Sequence, residues 1–303
     1  MTRDLLGYGN KYPDVRWPNG ARLAVSVVLN VEEGAELALS AGDHKNEHVY
    51  EAIQPVEGAP DLCMESHFEY GSRVGWWRIA KTVDSFGVPM TVNACARALE
   101  ETPWIGTSAV RRGYQVQCHG YRWETHAGME EARERELVAR CTQILERVTG
   151  TRPVGWHTKS SASVNTRRLV AEAGYLYDSD AYNDDVPYYV AVNGKPHLVV
   201  PYSFDTNDMR FFASYAFVRG KDFSDYCVDA FEQLWGEGSD APKMLSIGLH
   251  TRIIGRPARI GGLASLLLHM KDKGKVWFAT REQIARHWLA AAPPPWAAGG
   301  TAP

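Results

Sequence analysis

The chain lacks any C-x-x-C pair. Its five cysteines, Cys63, Cys95, Cys118, Cys141 and Cys227, are odd in number and widely spread. That pattern argues against a disulfide framework and against a thiolate zinc site. Positive charge is not in excess: the formal net charge is −3, so there is no electrostatic pull toward nucleic acid or an anionic membrane. No stretch reaches about 18 uncharged apolar residues, the length a spanning helix needs. Residues 1–22, MTRDLLGYGNKYPDVRWPNGAR, contain no apolar signal core, and a cytoplasmic location is expected. There is no internal repeat, and no GxGxxG follows the first strand-like run, which weakens a nucleotide-binding reading. A small-molecule substrate is what these absences leave.

Of the 303 residues, 45% are apolar and 23% charged, which is ordinary for a soluble protein with a substantial core. Strand-like and helix-like runs alternate. Strands are predicted at residues 22–29, 89–94, 114–118, 154–157, 176–180, 197–201, 243–249 and 276–279. Helices are predicted at 75–86, 129–148, 165–173, 223–235, 260–271 and 281–289. Such alternation means an α/β fold with a parallel sheet covered by helices, and periodicity admits both a barrel and an open doubly wound sheet. Residues 1–290 read as a single catalytic domain. Residues 291–303, AAPPPWAAGGTAP, read as a flexible tail.

Ionisable residues gather at the C-terminal ends of the predicted strands, the edge where parallel α/β proteins bind substrates. Glu32 and Glu33 follow the first strand, and His119 follows residues 114–118. Asp205, Asn207 and Asp208 come after the strand ending near Pro201, and His250 ends KMLSIGL. Arg152 stands just before residues 154–157. Singly, each can be a cap or a solvated side chain. Five strands flanked by such residues argue for a site. Two adjacent carboxylates held close push their pKa values apart, so Glu32 and Glu33 can divide labour. A histidine such as His250 titrates near neutrality and can protonate a leaving nitrogen.

The segments NVEEG (30–34), SHFEYGSR (66–73), HGYRW (119–123), RPVGW (152–156), DTND (205–208) and GLH (248–250) resemble the ordered motifs of the polysaccharide-deacetylase superfamily. With YGN, NTRRLV, YDSD and RIIGRPAR they resemble more narrowly its metal-independent allantoinase-like subgroup, over nearly the whole chain. The resemblance implies a distorted (β/α) barrel with about seven parallel strands, and a homotetramer. It implies that Glu32 is the catalytic base, that Glu33 stands at a metal-ligand position, and that Arg152 orients the base. It further implies that Asp205 polarises an acid histidine, His250. Where that superfamily carries two histidines four apart, this chain has His119 and Trp123. Indole nitrogen is a donor only, which breaks the ligand set of one carboxylate and two histidines. Glu33 and His119 are weak metal candidates that alone fall short of the three or four ligands of a stable site; His126 and His157 are the residues available for recruitment. No resident cofactor is expected.

A water activated by a carboxylate alone demands an electrophilic carbonyl. The expected reaction is therefore hydrolysis of a non-peptide C–N bond in a cyclic amide: an allantoin-like ureide, a hydantoin or a cyclic imide. The rival readings are an N-deacetylase of amino sugars or peptidoglycan fragments, and a catalytically inactive homologue that binds a small amide. Arg122, Asn207 and Arg252 are candidate donors to the developing oxyanion, with surface charge or turn roles equally open to them. His119, Trp123 and His157 complete the expected substrate-binding set. The loop His157, Thr158, Lys159, Ser160, Ser161, Ala162 departs from the resembled subgroup and leaves the ring itself open. Aromatic stretches at 182–189 and 210–215 offer walls for a flat ring, or core packing.

Overall fold

The sequence LAVSVVLNV forms β1 (Leu23–Val31), buried along its full length. A near-continuous apolar run is what a parallel strand covered on both faces requires. In the computed structural model, which describes residues 3–49, 54–159, 161–213 and 217–294, every other strand is arranged around β1. Along one side lies β8 (Lys243–His250), in register from Leu23 opposite Lys243 to Asn30 opposite His250. The other side is shared: β2 (Met90–Ala94) pairs with Val27–Val31 and β9 (Val276–Phe278) with Leu23–Val25. Beyond β2 follow β3 (Gln115–Cys118), β4 (Gly155–Trp156), β5 (Tyr177–Asp178) and β7 (Lys195–Val199), all parallel. A hairpin strand, β6 (Tyr188–Val192), closes the order as the only antiparallel partner among the described strands.

Eight of the described strands thus run parallel, in keeping with the barrel of about seven that the resemblance implies. The sheet curls into a half-barrel whose two lips, β7 and β8, do not pair. One parallel bridge between Asn207 and Gly248 joins the lips, with the Gly248 amide donating to the Thr206 carbonyl at 2.9 Å.

Side chains alternate across β1. Leu23, Val25, Val27, Leu29 and Val31 enter the main core, packed against helices that include α2 (Trp76–Ser85), α5 (Glu131–Thr149), α7 (Gly220–Glu237) and α8 (Pro257–Lys273). The opposite face points into the barrel, where the fill is partly polar. Asn30 bonds the Tyr202 hydroxyl, and Tyr177 bonds Gln117. Arg281, in the first turn of α9 (Arg281–Ala291), is fully buried and donates to Ser179, Ser246 and the Pro201 carbonyl. These groups form a rigid floor beneath the C-terminal edge.

Before α2 lie α1 (Leu62–Tyr70) and a π-helical turn, Gly71–Gly75. Between β2 and β3 come α3 (Ala96–Glu101) and α4 (Pro103–Arg111), and α6 (Thr166–Glu172) follows β4. Among the described residues no helix is long and apolar enough to cross a membrane. Most of the expected tail, residues 295–303, lies outside the described residues, as do Ser160 of the divergent loop and residues 214 and 215 of the second aromatic stretch.

Candidate active site

Parallel register delivers the ends of β1, β3 and β8 to one place. Glu32 is 1% exposed, and its Oε1 lies between two imidazole Nε2 atoms, 3.3 Å from His119 and 3.7 Å from His250. Its other oxygen accepts from Arg252 Nη1 at 2.7 Å. Burial alone would push this carboxyl up. The Arg252 charge, with His250 and His119, outweighs burial and holds Glu32 well below the usual carboxylate range. Glu33 points the other way, where it accepts from the Thr251 hydroxyl and from the Glu32 amide. Burial raises its pKa, against Arg252 and Thr251, and the neighbouring Glu32 charge adds to the rise. Their surroundings therefore push the two adjacent carboxyls in opposite directions.

His250 is oriented by Asp208, which is fully buried. Its Oδ1 accepts from His250 Nδ1 at 2.6 Å, and its Oδ2 accepts the amides of His250 at 2.8 Å and Ile254 at 3.1 Å. Three donors on one carboxylate fix the ring and leave Nε2 free to face Glu32. Asp208 opens a short 3-10 helix, Asp208–Phe212, capped by Asn207 through the Met209 amide. His119 donates Nδ1–H to the His157 carbonyl at 2.6 Å, which turns its Nε2 toward Glu32. His157 Nδ1 accepts from the Asn93 amide at 3.0 Å, so its proton sits on Nε2, 3.2 Å from the Tyr182 hydroxyl. Burial, with His119 and Arg281, holds His157 well below the usual imidazole range.

Trp123 is buried and forms one wall. Phe68 packs edge-on to it at 5.9 Å, and Arg252 lies over both rings, 4.4 Å from Phe68 and 5.4 Å from Trp123. The loop carrying Thr251 and Arg252 comes close because Gly71 and Gly75 lack side chains. A Cβ at Gly71 would run into Glu33 Oε1 and Thr251 Oγ1, and one at Gly75 into the Thr251 carbonyl. The π-helical turn is thus the surface against which the arginine loop is seated.

Four residues assigned from the sequence lie apart from the Glu32–His250 cluster or are held by other partners. Arg152 precedes β4 and so lies at the N-terminal edge of the sheet, opposite the site; it is half exposed and donates to the Ala173 carbonyl. Arg252 contacts Glu32 instead. Asp205 is exposed and bonds Arg210 and Tyr226; Asp208, three residues on, takes the place beside His250. Arg122 is spent on Asp43 and the Glu36 carbonyl, pinning a loop. Asn207 caps the short helix through the Met209 amide and lies on the seam, its amide nitrogen turned to the Tyr202 hydroxyl and the Ser203 carbonyl. Sequence reasoning missed Asp208 as the positioning residue, although DTND contains it, because two aspartates three apart at a strand end are distinguishable only by the register of the seam. Thr251 was missed as well, since a hydroxyl beside the site histidine carries no pattern.

Among the described residues the donors do not assemble the wider superfamily's ligand set of one carboxylate and two histidines. Both Glu33 oxygens are engaged, and Trp123 offers only an N–H. His126 is held by Glu134 at 2.8 Å, and His157 faces Asn93 and Tyr182. Among the described residues no group of three or more His, Cys, Asp or Glu side chains converges to hold a cation.

Comparison with known proteins follows the same lines. Residues 58–177 match the family model Polysaccharide deacetylase. A Schizosaccharomyces pombe protein assigned by name to the polysaccharide deacetylases is 39% identical over 315 residues, covering 96% of this chain and 98% of its own. The crystal structure of PuuE allantoinase superposes with a TM-score of 0.92 at 47% identity, covering 97% of this chain and 99% of that one. A Pseudomonas aeruginosa PAO1 structure, assigned by name to the polysaccharide deacetylases, gives a TM-score of 0.92 at 48% identity with the same coverage.

Proposed function

The chain belongs to the polysaccharide deacetylase family and is a hydrolase of carbon–nitrogen bonds, and from that premise we propose that it opens a cyclic amide by a carboxylate base and a histidine acid. The observation that carries the reading is the placement of Glu32 Oε1 within 3.7 Å of His250 Nε2, with Asp208 behind the histidine. Glu32 removes a proton from water, and the water oxygen bonds to the ring carbonyl carbon. Glu32 passes that proton to His250 Nε2, 3.7 Å away, and Asp208 stabilises the charge this puts on the ring; as the C–N bond breaks, Nε2 gives the proton to the departing nitrogen. Arg252 holds Glu32 ionised and in place.

A carboxylate held far below neutrality is a weak base, since proton-accepting power falls with pKa. Such a base suits a strained or electron-poor carbonyl, as in a ureide, hydantoin or imide, better than an acetamide. The high identity to PuuE allantoinase supports the same substrate class. The donor set around Glu33, His119 and Trp123 supports a reaction without a resident metal. The resemblance further supports a cytoplasmic homotetramer, for which sedimentation at micromolar concentration is the measurement.

The test is a hydrolysis screen over ring amides, chitooligosaccharides and peptidoglycan, with and without exhaustive chelation. Ring opening that survives chelation is the expected result. Release of acetate from the sugars alone, or loss on chelation restored by one divalent cation, would overturn the proposal.

A further inference from the structure

The divergent loop places a cation in the site that the reaction above does not use. Lys159 extends its ammonium over the Trp123 indole, 3.8 Å from the ring centroid. The loop is anchored one residue earlier, where Asp180 accepts from the Thr158 amide at 2.6 Å and from its hydroxyl at 2.7 Å. Asp180 is itself carried on the chain just after β5, so the lysine is tethered to the sheet.

Among the described residues no carboxylate lies within ion-pair distance of Lys159, and the indole face is its close companion. Burial lowers its pKa, while Glu32 and Glu47 pull it up from further off and Arg252 opposes them. An indole face attracts the charge but satisfies none of the three N–H donors as an oxygen acceptor would. Arg252 already pairs with Glu32, which leaves Lys159 at the pocket wall with no carboxylate at ion-pair distance among the described residues.

Depth decides what it meets. Glu32, His119 and His250 are all under 7% exposed, whereas Lys159 is only half-buried. It therefore stands nearer the solvent than these three, on the outer side of the carbonyl that the water activated by Glu32 attacks. From this arrangement we infer that Lys159 selects ring amides bearing an anionic substituent, a carboxylate reaching back over Trp123 toward the mouth. The inference rests on the ring-opening reaction proposed above and narrows its substrate.

The experiment compares a hydantoin carrying a carboxymethyl side chain with its carboxamide isostere. The wild-type protein should prefer the carboxylate by about tenfold or more in kcat/KM, the scale of one charge-assisted hydrogen bond, with the difference in KM. Lys159→Met should bring the ratio to about one, and Lys159→Arg should keep most of it. Added salt should shrink the wild-type preference, a readout that needs no variant to fold. Equal use of the two compounds by the wild-type protein overturns the inference and leaves ring opening standing. So does an unchanged preference in Lys159→Met, or a fall on both compounds alike, which would mean that Lys159 merely holds Trp123. Hydrolysis of neither compound, nor of any ring amide, removes both readings.

Discussion

Each side chain around Glu32 can be removed singly, and the geometry says which losses fall on the chemical step. Glu32→Gln keeps volume and hydrogen-bonding reach but not basicity, so kcat should drop about 10²–10⁴-fold with little change in KM. Glu33→Gln should cost less, because Glu33 faces Thr251 and the π-helical turn. His250→Asn and Asp208→Asn should both lower kcat strongly, whereas Asp205→Asn and Arg152→Gln should leave it near the wild-type value. A reversal of the Asp208 and Asp205 results would refute the assignment of the positioning residue. The residues themselves were legible in the sequence: Glu32, His119 and His250 stand where strand ends met titratable groups. Their partners were not. Arg152 and Asp205 fit a motif spacing, but Arg252 and Asp208 hold the places because the loop after β8 folds back and the seam sets the register. Glu36 provides a separate test by titration. Burial pushes its carboxyl up to about 7 from 4.5, against hydrogen bonds that include the Gly34 amide. Between those values the unfolded chain releases a proton that the folded chain keeps, so stability falls as pH rises from about 4.5 to 7. The full effect is about 3 kcal/mol at about 1.4 kcal/mol per pKa unit. Glu36→Gln should flatten that part of the denaturation profile, and an unaltered slope would exclude Glu36 as its source.

Among the elements, the π-helical turn links folding to the site. Gly75→Ala places a methyl group against the Thr251 backbone, which has no rotamer to move. A loss of about 1–3 kcal/mol is expected from such overpacking, and kcat should fall with it because the same loop carries Arg252. Thermal unfolding and single-turnover rates check the two effects separately; a variant with normal stability and normal rate would show that the loop is not seated there. Strands were the legible elements. The near-continuous apolar runs of β1 and β8 read as buried parallel strands, and both were anticipated within two residues at each end. The helices α1, α3 and α4 escaped notice for identifiable reasons. Only Met64 and Phe68 of α1 are buried, too few to make a stripe. Pro103 and Gly106 read as loop punctuation between β2 and β3, although proline at the first helical position is tolerated and Gly106 lies against Val148 of α5. The strands β4 and β5 are two residues each, short enough that their pairing comes from neighbours more than from their own sequence.

For the whole molecule, alternation of strand and helix pointed to a parallel sheet but left barrel and open sheet undecided, and the structure lies between them: curled, with lips that meet at one bridge. That seam runs through the catalytic apparatus. His250 ends β8 on one lip, and Asp208 follows Asn207 on the other, so the proposed proton donor and the carboxylate that aims it are joined across a line where the lips share one parallel bridge. Opening the seam costs the Asn207–Gly248 bridge and its neighbours while β1 keeps all its partners, and such local openings lie below the global unfolding energy. On warming, turnover should therefore fail several degrees before the tryptophan signal reports unfolding. The Gly248 amide should exchange with deuterium sooner than the amides of β1. The enzyme would then act as its own thermometer: its activity would record whether two edges of a sheet are still touching, long before the protein has come apart.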